Sequence, residues 1–569
     1  MRFPDRQRLL YLYIREGWRR FSRRLALGRN SAFRFTGRTP DRLIVAPTDL
    51  RAIDPFVARE IVQGRFPLAG RVLETEGESP FELDLPSREF AVRLHSFGWV
   101  RHMRSLEDDK GFVRLRQMIN DWIAIHGRHI GGLPWEPDII AQRVIAWLSH
   151  SPVILKNAEH VFYRRFLKSL AYQLRYLKHV ADTTPDGEAR LRVRIALAMA
   201  SVAMPASANT LRKVARLLDE ELDRQIMPDG GHISRNPRVG LELLLDLLPL
   251  RQTYVNLGHD VPARLIPCID RMYPALRFFR HQGGELALFN GATSTLANEL
   301  MSVLRYDETA GVPFKGLPHV NYERLAMGQA VVIMDTGMPL SPELSRTAHA
   351  GCLSFEMSSG KHRFIINSGS PKFAGDRFRQ MARSTAAHST LTINDLSSSR
   401  LSQSRFLGPI MTGGVKKVDV RRETQAGGAE AVIASHDGYS SAFGVLHERD
   451  LSLNSLGTSL RGRDRLTALD GADPSVGEPL RAEARFHIHP AIRLRQHGVN
   501  EVYLTAPDGE SWLFSCHDAP VSIEEDIFFA DPSGVRKSQQ LLIGFDVAQI
   551  SEIQWILTRD VSETNLSGR

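Results

Sequence analysis

Apolar residues recur at intervals of three and four positions through the first half of the chain, the spacing of a helix with one buried face. Short connections that often contain Gly or Pro separate the predicted helices. These helices cover Glu89–Met103, Phe112–His126, Asp138–Ser149, Val161–His179, Leu191–Met204, Thr210–Ile226, Val239–Leu250 and Ala263–Phe279. Many helical pairs in series predict an α/α toroid rather than a four-helix bundle, and their spacing is too irregular for a tandem helical repeat.

The pattern changes after about residue 315, where short β-branched or alternating runs are bounded by Gly, Ser, Asn or Asp. Examples are Gln329–Met334, Cys352–Met357, His362–Ile366, Ser389–Ile393 and Ile553–Leu557. Helices and strands that follow each other in blocks indicate separate α and β parts. We therefore predict a multidomain α + β chain, with an N-terminal basic helix over 1–36, an α/α-toroid domain over 37–315 and an antiparallel β-sheet or sandwich domain over 316–569.

Residues 1–27 alternate arginines with Leu, Tyr, Ile, Trp and Phe at roughly helical spacing. Such a helix can lie on an anionic membrane surface, or it can pack its apolar stripe inward as the first helix of the domain. The inward packing is favoured here. No stretch is long and apolar enough to span a membrane, and the N-terminus has no clear signal peptide. A cytoplasmic location is therefore predicted, with the periplasm left open.

The 569-residue chain has a formal net charge of +9 and a pI of about 9.5. A basic balance suits a nucleic acid, an anionic membrane or an acidic polysaccharide, and charge alone does not choose among them. No nucleic-acid-binding module matches, so no nucleic-acid partner is predicted. Three widely spaced cysteines, Cys268, Cys352 and Cys516, form neither a disulfide framework nor a zinc ribbon.

One candidate site lies in Pro228–Pro237, between two apolar helices. Asn236 precedes a Pro at the first position of the next helix, so it can be a simple N-cap. That interpretation does not explain why His232, Ser234 and Arg235 crowd the same helix mouth. A helix N-terminus with Arg and Asn side chains is suited to binding an anion.

Two histidines in loops of small residues, His349 and His388, each lead directly into a strand, and Asn367 lies between them in the sequence. Small neighbours would give a ligand close access to these side chains. The three residues could instead bind a structural divalent metal, zinc or calcium, although Asn is a poor ligand for zinc. No motif requires a cofactor, because the chain has no phosphate-binding glycine loop, nucleophile elbow or HExxH sequence. Tyr439 could contribute a phenol, but the Asp-Gly pair before it is also a turn signal.

Three segments resemble the heparinase II/III family in order and in spacing: DGGHISRNP, AHAGCLSFEMSSG followed by FIINSGSP, and RSTAAHSTLTIND. The upstream segments LHSFGWVRHM and PWEPDIIAQRVIAWL look like its toroid helices, so the similarity covers roughly residues 30 to 560. The family is one of polysaccharide lyases. The resemblance implies an α/α toroid followed by an antiparallel β domain, with a site in the cleft between them.

The resemblance also implies β-elimination, in which the C5 proton of a uronate is removed and the C4 oxygen leaves. That proton becomes acidic only when nearby donors neutralise the carboxylate, and an acid/base pair then moves the proton. Asn236, with His232 and Arg235, is expected to neutralise the carboxylate, while His349 and His388 are expected to be acid/base groups. Substrate contacts are expected from Arg235, Trp135, Arg143 and Arg383.

The sequence departs from the family's pattern at two places. Residues 283–293 contain no Tyr where members usually place a catalytic one, and Thr347 stands where some members have a His. Tyr439 or His388 would then have to serve as the acid/base group. We expect a lyase that acts on a uronate polysaccharide, such as a glycosaminoglycan or an alginate. The alternative is a non-catalytic glycan-binding or glycan-assembly protein on the same scaffold.

Overall fold

The computed structural model describes residues 3–26, 35–107, 109–309, 311–469 and 480–560. A helical part is followed by a strand-rich part, which confirms the predicted multidomain α + β class. Residues 27–34 of the predicted N-terminal segment lie outside the described residues. Within the described ranges, no helix is long and apolar enough to cross a membrane.

Fourteen α-helices can be followed along the described residues, most of them in the first half of the chain. They are α1 (Phe3–Ala26), α2 (Pro55–Val62), α3 (Arg88–Ser96), α4 (Asp109–Ile125), α5 (Pro137–Ser149), α6 (Ser151–Ile154), α7 (His160–Val180), α8 (Glu188–Ala203), α9 (Ala208–Gln225), α10 (Pro237–Asn256), α11 (Leu265–Phe278), α12 (Ala297–Leu304), α13 (Asp376–Ala382) and α14 (Ser440–Phe443).

The toroid is assembled around α8, which packs against α5, α9 and α10. Its alanines allow the neighbouring helices to approach closely, and most of its side chains are buried. α10 is rich in leucine and is also buried on most of its surface, and it packs on α11. Helices that are apolar on nearly every side belong to the interior of a large domain. Any polar side chain buried among these helices therefore needs a hydrogen-bond partner within the protein.

The strand-rich part begins with short strands that lead into two large sheets. The strands, including a small hairpin in the helical part, are β1 (Arg65–Leu68), β2 (Arg71–Glu74), β3 (Gly316–Leu317), β4 (Tyr322–Met327), β5 (Ala330–Asp335), β6 (Phe355–Ser359), β7 (His362–Ile366), β8 (Leu391–Ile393), β9 (Ser399–Leu401), β10 (Met411–Gly414), β11 (Val418–Thr424), β12 (Glu430–His436), β13 (Val445–Leu453), β14 (Ser459–Ala468), β15 (Arg481–Ile488), β16 (Arg493–Gln496), β17 (Glu501–Thr505), β18 (Ser511–Cys516), β19 (Ser522–Asp531), β20 (Gly534–Asp546) and β21 (Glu552–Asp560).

Two antiparallel sheets form a sandwich. One has the order β11-β12-β13-β14-β21-β18-β17-β16, and the other has the order β19-β20-β15-β7-β6-β5-β4-β3, with β8 also paired to β15. Burial alternates along β13, as expected for a strand with one face on the core. Between the sheets, Phe355 stacks on Trp555 with ring centroids 5.5 Å apart. The indole of Trp555 occupies the space above Gly462, where an added Cβ would lie 2.0 Å from the ring.

The helical and strand-rich parts share one hydrophobic core at their junction. Leu317, Val320 and Tyr322 are buried in the same cluster as the toroid helices. Val331 and Ile333 of β5 join them there. The first strands of the larger sheet are therefore packed directly on the toroid.

Candidate functional site

The N-terminus of α10 presents Asn236 at the junction of the two parts. The Asn236 side-chain Oδ1 accepts a hydrogen bond from the backbone N–H of Arg238 at 2.9 Å, so Asn236 is the N-cap of this helix. Pro237 follows at the first helical position, where its missing N–H costs nothing. The Asn236 Nδ2 group has no hydrogen bond among the described residues and remains available as a donor.

A turn at Asn290 and Gly291 brings the loop of His349 to this helix end. The backbone N–H of His349 donates to Oδ1 of Asn290 at 3.4 Å. A Cβ added at Gly291 would lie 2.7 Å from the Thr347 carbonyl and 3.6 Å from Asn236 Nδ2. With φ at +88°, this position favours glycine for its backbone as well. The predicted residues Asn236 and His349 thus border the same turn.

The predicted histidines His349 and His388 are in direct contact. The Nδ1 of His349 lies 3.1 Å from the Nε2 of His388, and the Nδ1 of His388 lies 2.7 Å from the Ser384 carbonyl oxygen. A carbonyl only accepts, so His388 carries its proton on Nδ1 and accepts at Nε2. His349 then donates from Nδ1 and keeps a lone pair on Nε2. Only this nitrogen of the pair is free to act as an acceptor towards a ligand.

Burial determines the charge of both rings. It lowers the pKa of His388 to about 4 and lowers the pKa of His349 well below its usual value, and in His349 the neighbouring His388 adds to the effect. Both imidazoles are therefore neutral near pH 7. A neutral ring with so low a pKa can accept a hydrogen bond, but it is a weak base for removing a carbon-bound proton.

His349, Asn367 and His388, predicted as ligands of a divalent metal, each have hydrogen-bond partners within the protein. The two histidines use facing nitrogens to bond to each other, and Asn367 Oδ1 accepts the backbone N–H of Ser389 at 3.0 Å. Across the described part of the chain, no group of three His, Cys, Asp or Glu side chains is placed to hold a metal ion. The structure thus shows a hydrogen-bonded histidine pair at this place, and the metal set of His349, Asn367 and His388 stays a prediction.

His232 is buried and bonded within the protein, contrary to the prediction that it neutralises a carboxylate. The ring is buried, its Nε2 lies 2.8 Å from Gln225 Oε1, and its Nδ1 accepts the backbone N–H of Ser234 at 3.1 Å. Burial lowers the pKa of His232 to about 3, so the ring is neutral. Its two bonds close the loop before α10, and the residue has a structural position.

Arg235 is also a structural residue rather than a substrate contact. Its guanidinium forms a buried ion pair with Asp335 and lies over the ring of Tyr322, 4.8 Å from the ring centroid. The Arg235 Nε donates to the Val320 carbonyl at 2.8 Å. Gly337 makes room for the guanidinium, since a Cβ there would lie 2.1 Å from it. Arg235 therefore joins the toroid to the first strands of the sheet.

The other predicted substrate contacts are buried as well. Trp135 donates its indole N–H to the His126 carbonyl, and Arg143 lies over the Trp122 ring with its donors on an amide and two carbonyls. Arg383 donates to the carbonyls of Ala348 and Ser345, which holds the loop of His349 in place.

Tyr439 does not have the position of an acid/base group. It lies in the sandwich core, and its hydroxyl donates to the Leu391 carbonyl at 2.7 Å. Burial raises the pKa of Tyr439 far above its usual value, so the phenol stays protonated. The hydroxyl therefore caps a carbonyl inside the sheet domain instead of reaching a ligand.

A charged cavity of about 210 Å³ in the toroid was missed by the sequence analysis. Its lining includes six cationic and four carboxylate side chains. These are Arg51, Arg93, Arg101, Arg192, Arg238 and Lys372, and Asp49, Glu242, Asp246 and Glu299. Arg238 lies two residues after Asn236, so the cavity adjoins the helix end described above.

Most of the cavity's arginines are paired, but two cations are not. Arg51 reaches Asp246 at 2.8 Å, and Arg238 reaches Glu242 at 2.8 Å. Arg93 of α3 and Lys372 of the segment after β7 form no ion pair with a described carboxylate. Each contacts the ring of Phe373 instead, at 5.6 and 5.5 Å from its centroid. Burial, followed by the charge of Arg238, lowers the pKa of Lys372.

One signal in the sequence could have revealed this cavity. Glu242 and Asp246 are four residues apart within a run of leucines, which places two carboxylates on one face of a buried helix. Buried carboxylates require cationic partners. Their partners are Arg51, in the segment before α2, and Arg238 of α10 itself, and the sequence does not indicate the pairing with the distant Arg51.

Comparison with known proteins gives both sequence relatives and structural neighbours. Residues 309–556 match the profile of the family Heparinase II/III-like, C-terminal. FtsZ-localized protein C from Caulobacter vibrioides (strain NA1000 / CB15N) is 30% identical over 534 residues, 91% of this chain and 91% of that protein. A crystal structure of heparinase III superposes with a TM-score of 0.71 at 15% identity, covering 93% of this chain and 88% of that one. Heparan sulfate lyase HepC from Pedobacter heparinus superposes with a TM-score of 0.59 at 15% identity, covering 93% and 87%. At such identities the solved structures show the fold alone.

Proposed function

The chain belongs to the heparinase II/III family, whose fold is that of polysaccharide lyases, and from this premise we propose that it binds an acidic saccharide in the toroid cavity without cleaving it. The observation that carries the proposal is the pair of cations without carboxylate partners, Arg93 and Lys372, in a cavity where the other charges are compensated. A uronate carboxylate is the ligand group that this pair would bind.

The geometry supports a carboxylate better than a neutral sugar. Two cations that share the ring of Phe373 repel each other, and the pKa of Lys372 is already lowered by burial and by Arg238. An anion between Arg93 and Lys372 would remove that repulsion and raise the pKa of Lys372 again. Two further groups would contact sugar hydroxyls. They are the free Nδ2 of Asn236 at the adjoining helix end and the Nε2 of His349 in the loop beside it.

The same site is poorly equipped for elimination. Residues 283–293 have no tyrosine, and Tyr439 is in the core of the sandwich. His349 is the remaining candidate base, and its pKa is well below the range in which an imidazole removes a carbon-bound proton efficiently. Recognition of the glycan therefore accounts for the site better than cleavage does.

Calorimetric titration with uronate oligosaccharides tests the binding proposal. We expect binding that weakens at least about tenfold in Arg93→Gln/Lys372→Gln, since each lost charge-assisted contact is worth about 1.5–3 kcal/mol. The matched control is Lys213→Gln/Arg216→Gln, which removes the same charge from the outer face of α9 and should bind like the parent. Equal weakening in both variants, or no binding of any acidic saccharide, would refute the cavity site.

The lyase activity is the second candidate, favoured by the free Nε2 of His349 beside Asn236. Incubation with uronate polysaccharides, followed by ultraviolet absorbance of a new C4–C5 double bond, separates the two. The binding proposal predicts no rise in absorbance. A rise that His349→Ala abolishes while glycan binding is retained would instead make His349 the base and the protein a lyase.

The relative from Caulobacter suggests where in the cell this protein acts. That protein is named for its localisation with FtsZ, and the similarity to it extends over nearly the whole of both chains. We propose that the present protein also concentrates where FtsZ assembles. A fluorescent fusion imaged together with FtsZ in the native host should form a band at mid-cell. A uniform distribution in dividing cells would contradict this proposal and leave the glycan site untouched.

A further inference from the structure

The N-terminal helix α1 is attached to the body of the protein by one face. Leu12 is buried in a cluster with Leu407 and Ile410, and Tyr13 stacks on Phe406 with ring centroids 5.7 Å apart. These contacts join the helix to the segment between β9 and β10. They fix how the helix is rotated, and so they determine which side chains point away from the protein.

The outward face of α1 is apolar. Leu10, Tyr11, Ile14, Trp18 and Phe21 are each more than half exposed, and Trp18 reaches 70%. At 100° per residue these five side chains fall within an arc of about 100° on the helix. The expectation that the apolar stripe packs inward therefore holds only for the side that carries Leu12. A second stripe is left uncovered in the chain as described.

Arginines surround this apolar face. The segment 3–26 contains seven arginines against two acidic residues, a net charge of +5. Arg8 and Arg15 follow the edge of the stripe next to Tyr11, where Arg15 pairs with Glu343. Arg20 lies beyond the opposite edge, where it pairs with Glu16 and its guanidinium covers the ring of Phe406. An apolar face with aromatic residues and arginine borders is the pattern of a helix that lies in the headgroup region of a membrane.

We propose that α1 docks the protein on an anionic membrane surface, with Leu10, Ile14 and Phe21 towards the acyl chains and Trp18 and Tyr11 at the headgroup level. The charge selects this occupant over a second copy of the chain. Two such helices face to face would bring their arginine borders together, whereas anionic lipid neutralises them. The inference is independent of the glycan cavity, which lies in the toroid.

Vesicle flotation with the full chain tests the docking. Phosphatidylcholine vesicles with phosphatidylglycerol should carry the protein to the top of the gradient, and phosphatidylcholine vesicles alone should carry much less. Binding should fall as salt is added. Brominated lipids should quench the fluorescence of Trp18 specifically, because the other six tryptophans are at most 3% exposed. Absence of flotation with the anionic vesicles would overturn the proposal.

Substitution on the outward face gives the decisive comparison. Ile14→Glu/Trp18→Glu should lower the bound fraction about tenfold or more, since it places two charges in the face that enters the lipid. The control, Val312→Glu/Leu456→Glu, makes the same charge change at residues that are 88% and 73% exposed on other parts of the surface, and it should bind normally. Equal flotation of both variants would overturn the proposal.

Sedimentation of the protein without lipid tests whether a second copy of the chain, and not a membrane, covers the outward face of α1. A monomer at concentrations where vesicles bind is the expected result. A dimer that Ile14→Glu/Trp18→Glu dissociates, together with no flotation of the parent protein, would show that a second copy covers this face. Melting temperatures equal to that of the parent in both double variants ensure that a loss of flotation reports the face and not unfolding.

Discussion

Arg235 shows how a residue suited to binding an anion becomes part of the scaffold. Its backbone is in the left-handed region, with φ at +59°, because the chain reverses there before entering α10. The side chain then points towards β4 and β5, where Asp335 of β5 forms an ion pair with the guanidinium and the ring of Tyr322 on β4 lies against its plane. The hydroxyl of Tyr322 returns a hydrogen bond to the Arg235 carbonyl at 2.7 Å. Each nitrogen of the guanidinium donates to a group of the protein itself.

Removal of this guanidinium should destabilise the fold rather than weaken the binding of a ligand. We expect Arg235→Met to lower the free energy of unfolding by about 3–5 kcal/mol, because Asp335 is left buried without its cation. Urea denaturation measures the change. Arg216→Met, which breaks an exposed pair with Glu220, should cost less than about 1 kcal/mol. Similar costs for the two variants would contradict the structural role of Arg235.

Two helices differ from their predicted bounds for identifiable reasons. The sequence predicted one helix over Glu89–Met103, but Phe97 adopts φ at +58° and ends α3 at Ser96. The ring of Phe97 is fully buried and stacks on Trp99 at 5.3 Å, so the aromatic core takes precedence over helical continuity. The apolar run Val239–Leu250 extends in both directions to the bounds of α10. Pro249 lies inside that helix without ending it.

The loops of His349 and His388 show what a local pattern can and cannot indicate. Small residues before each strand predicted that a ligand has close access to both histidines, whereas the space above Gly351 is filled by the ring of His388, which would lie 2.7 Å from a Cβ added there. The loop of His349 is held by Arg383, whose guanidinium donates to two of its carbonyls. That interaction joins residues 35 and 38 positions apart and has no signature in either loop.

At the scale of the whole molecule, burial of histidines should make the protein sensitive to acid. Burial lowers the pKa of His95, His232 and His489 to about 3 and that of His388 to about 4. In the unfolded chain these rings titrate near 6.5. Between these values the unfolded state binds more protons than the folded state, so stability decreases as the pH falls.

The expected result is a free energy of unfolding that is level above about pH 6.5 and falls steadily below it. Each neutral buried histidine contributes a slope of up to about 1.4 kcal/mol per pH unit. Urea midpoints at pH 7.5, 6 and 5 measure the trend. His232→Gln, which keeps a hydrogen-bonding side chain but does not titrate, should reduce the slope. Equal midpoints at pH 7.5 and pH 5 would show that these rings are charged in the fold.

The sequence by itself determined the class of fold, the change from helices to strands and the cap of α10. These features depend on periodicity and on neighbours a few positions apart, which a single segment contains in full. It also placed Asn236 and His349 among the candidate residues, and the fold brings both to one turn.

Only the tertiary structure decided which polar side chains face a ligand. Arg235 and Asp335 are one hundred residues apart, and Arg93 and Lys372 come from opposite parts of the chain to line one cavity. An arginine has the same local pattern whether its charge is compensated or free, because the partner comes from a distant segment. The exposed stripe of α1 was likewise decided by distant segments, because an apolar helix face is buried only where another segment of the chain packs on it.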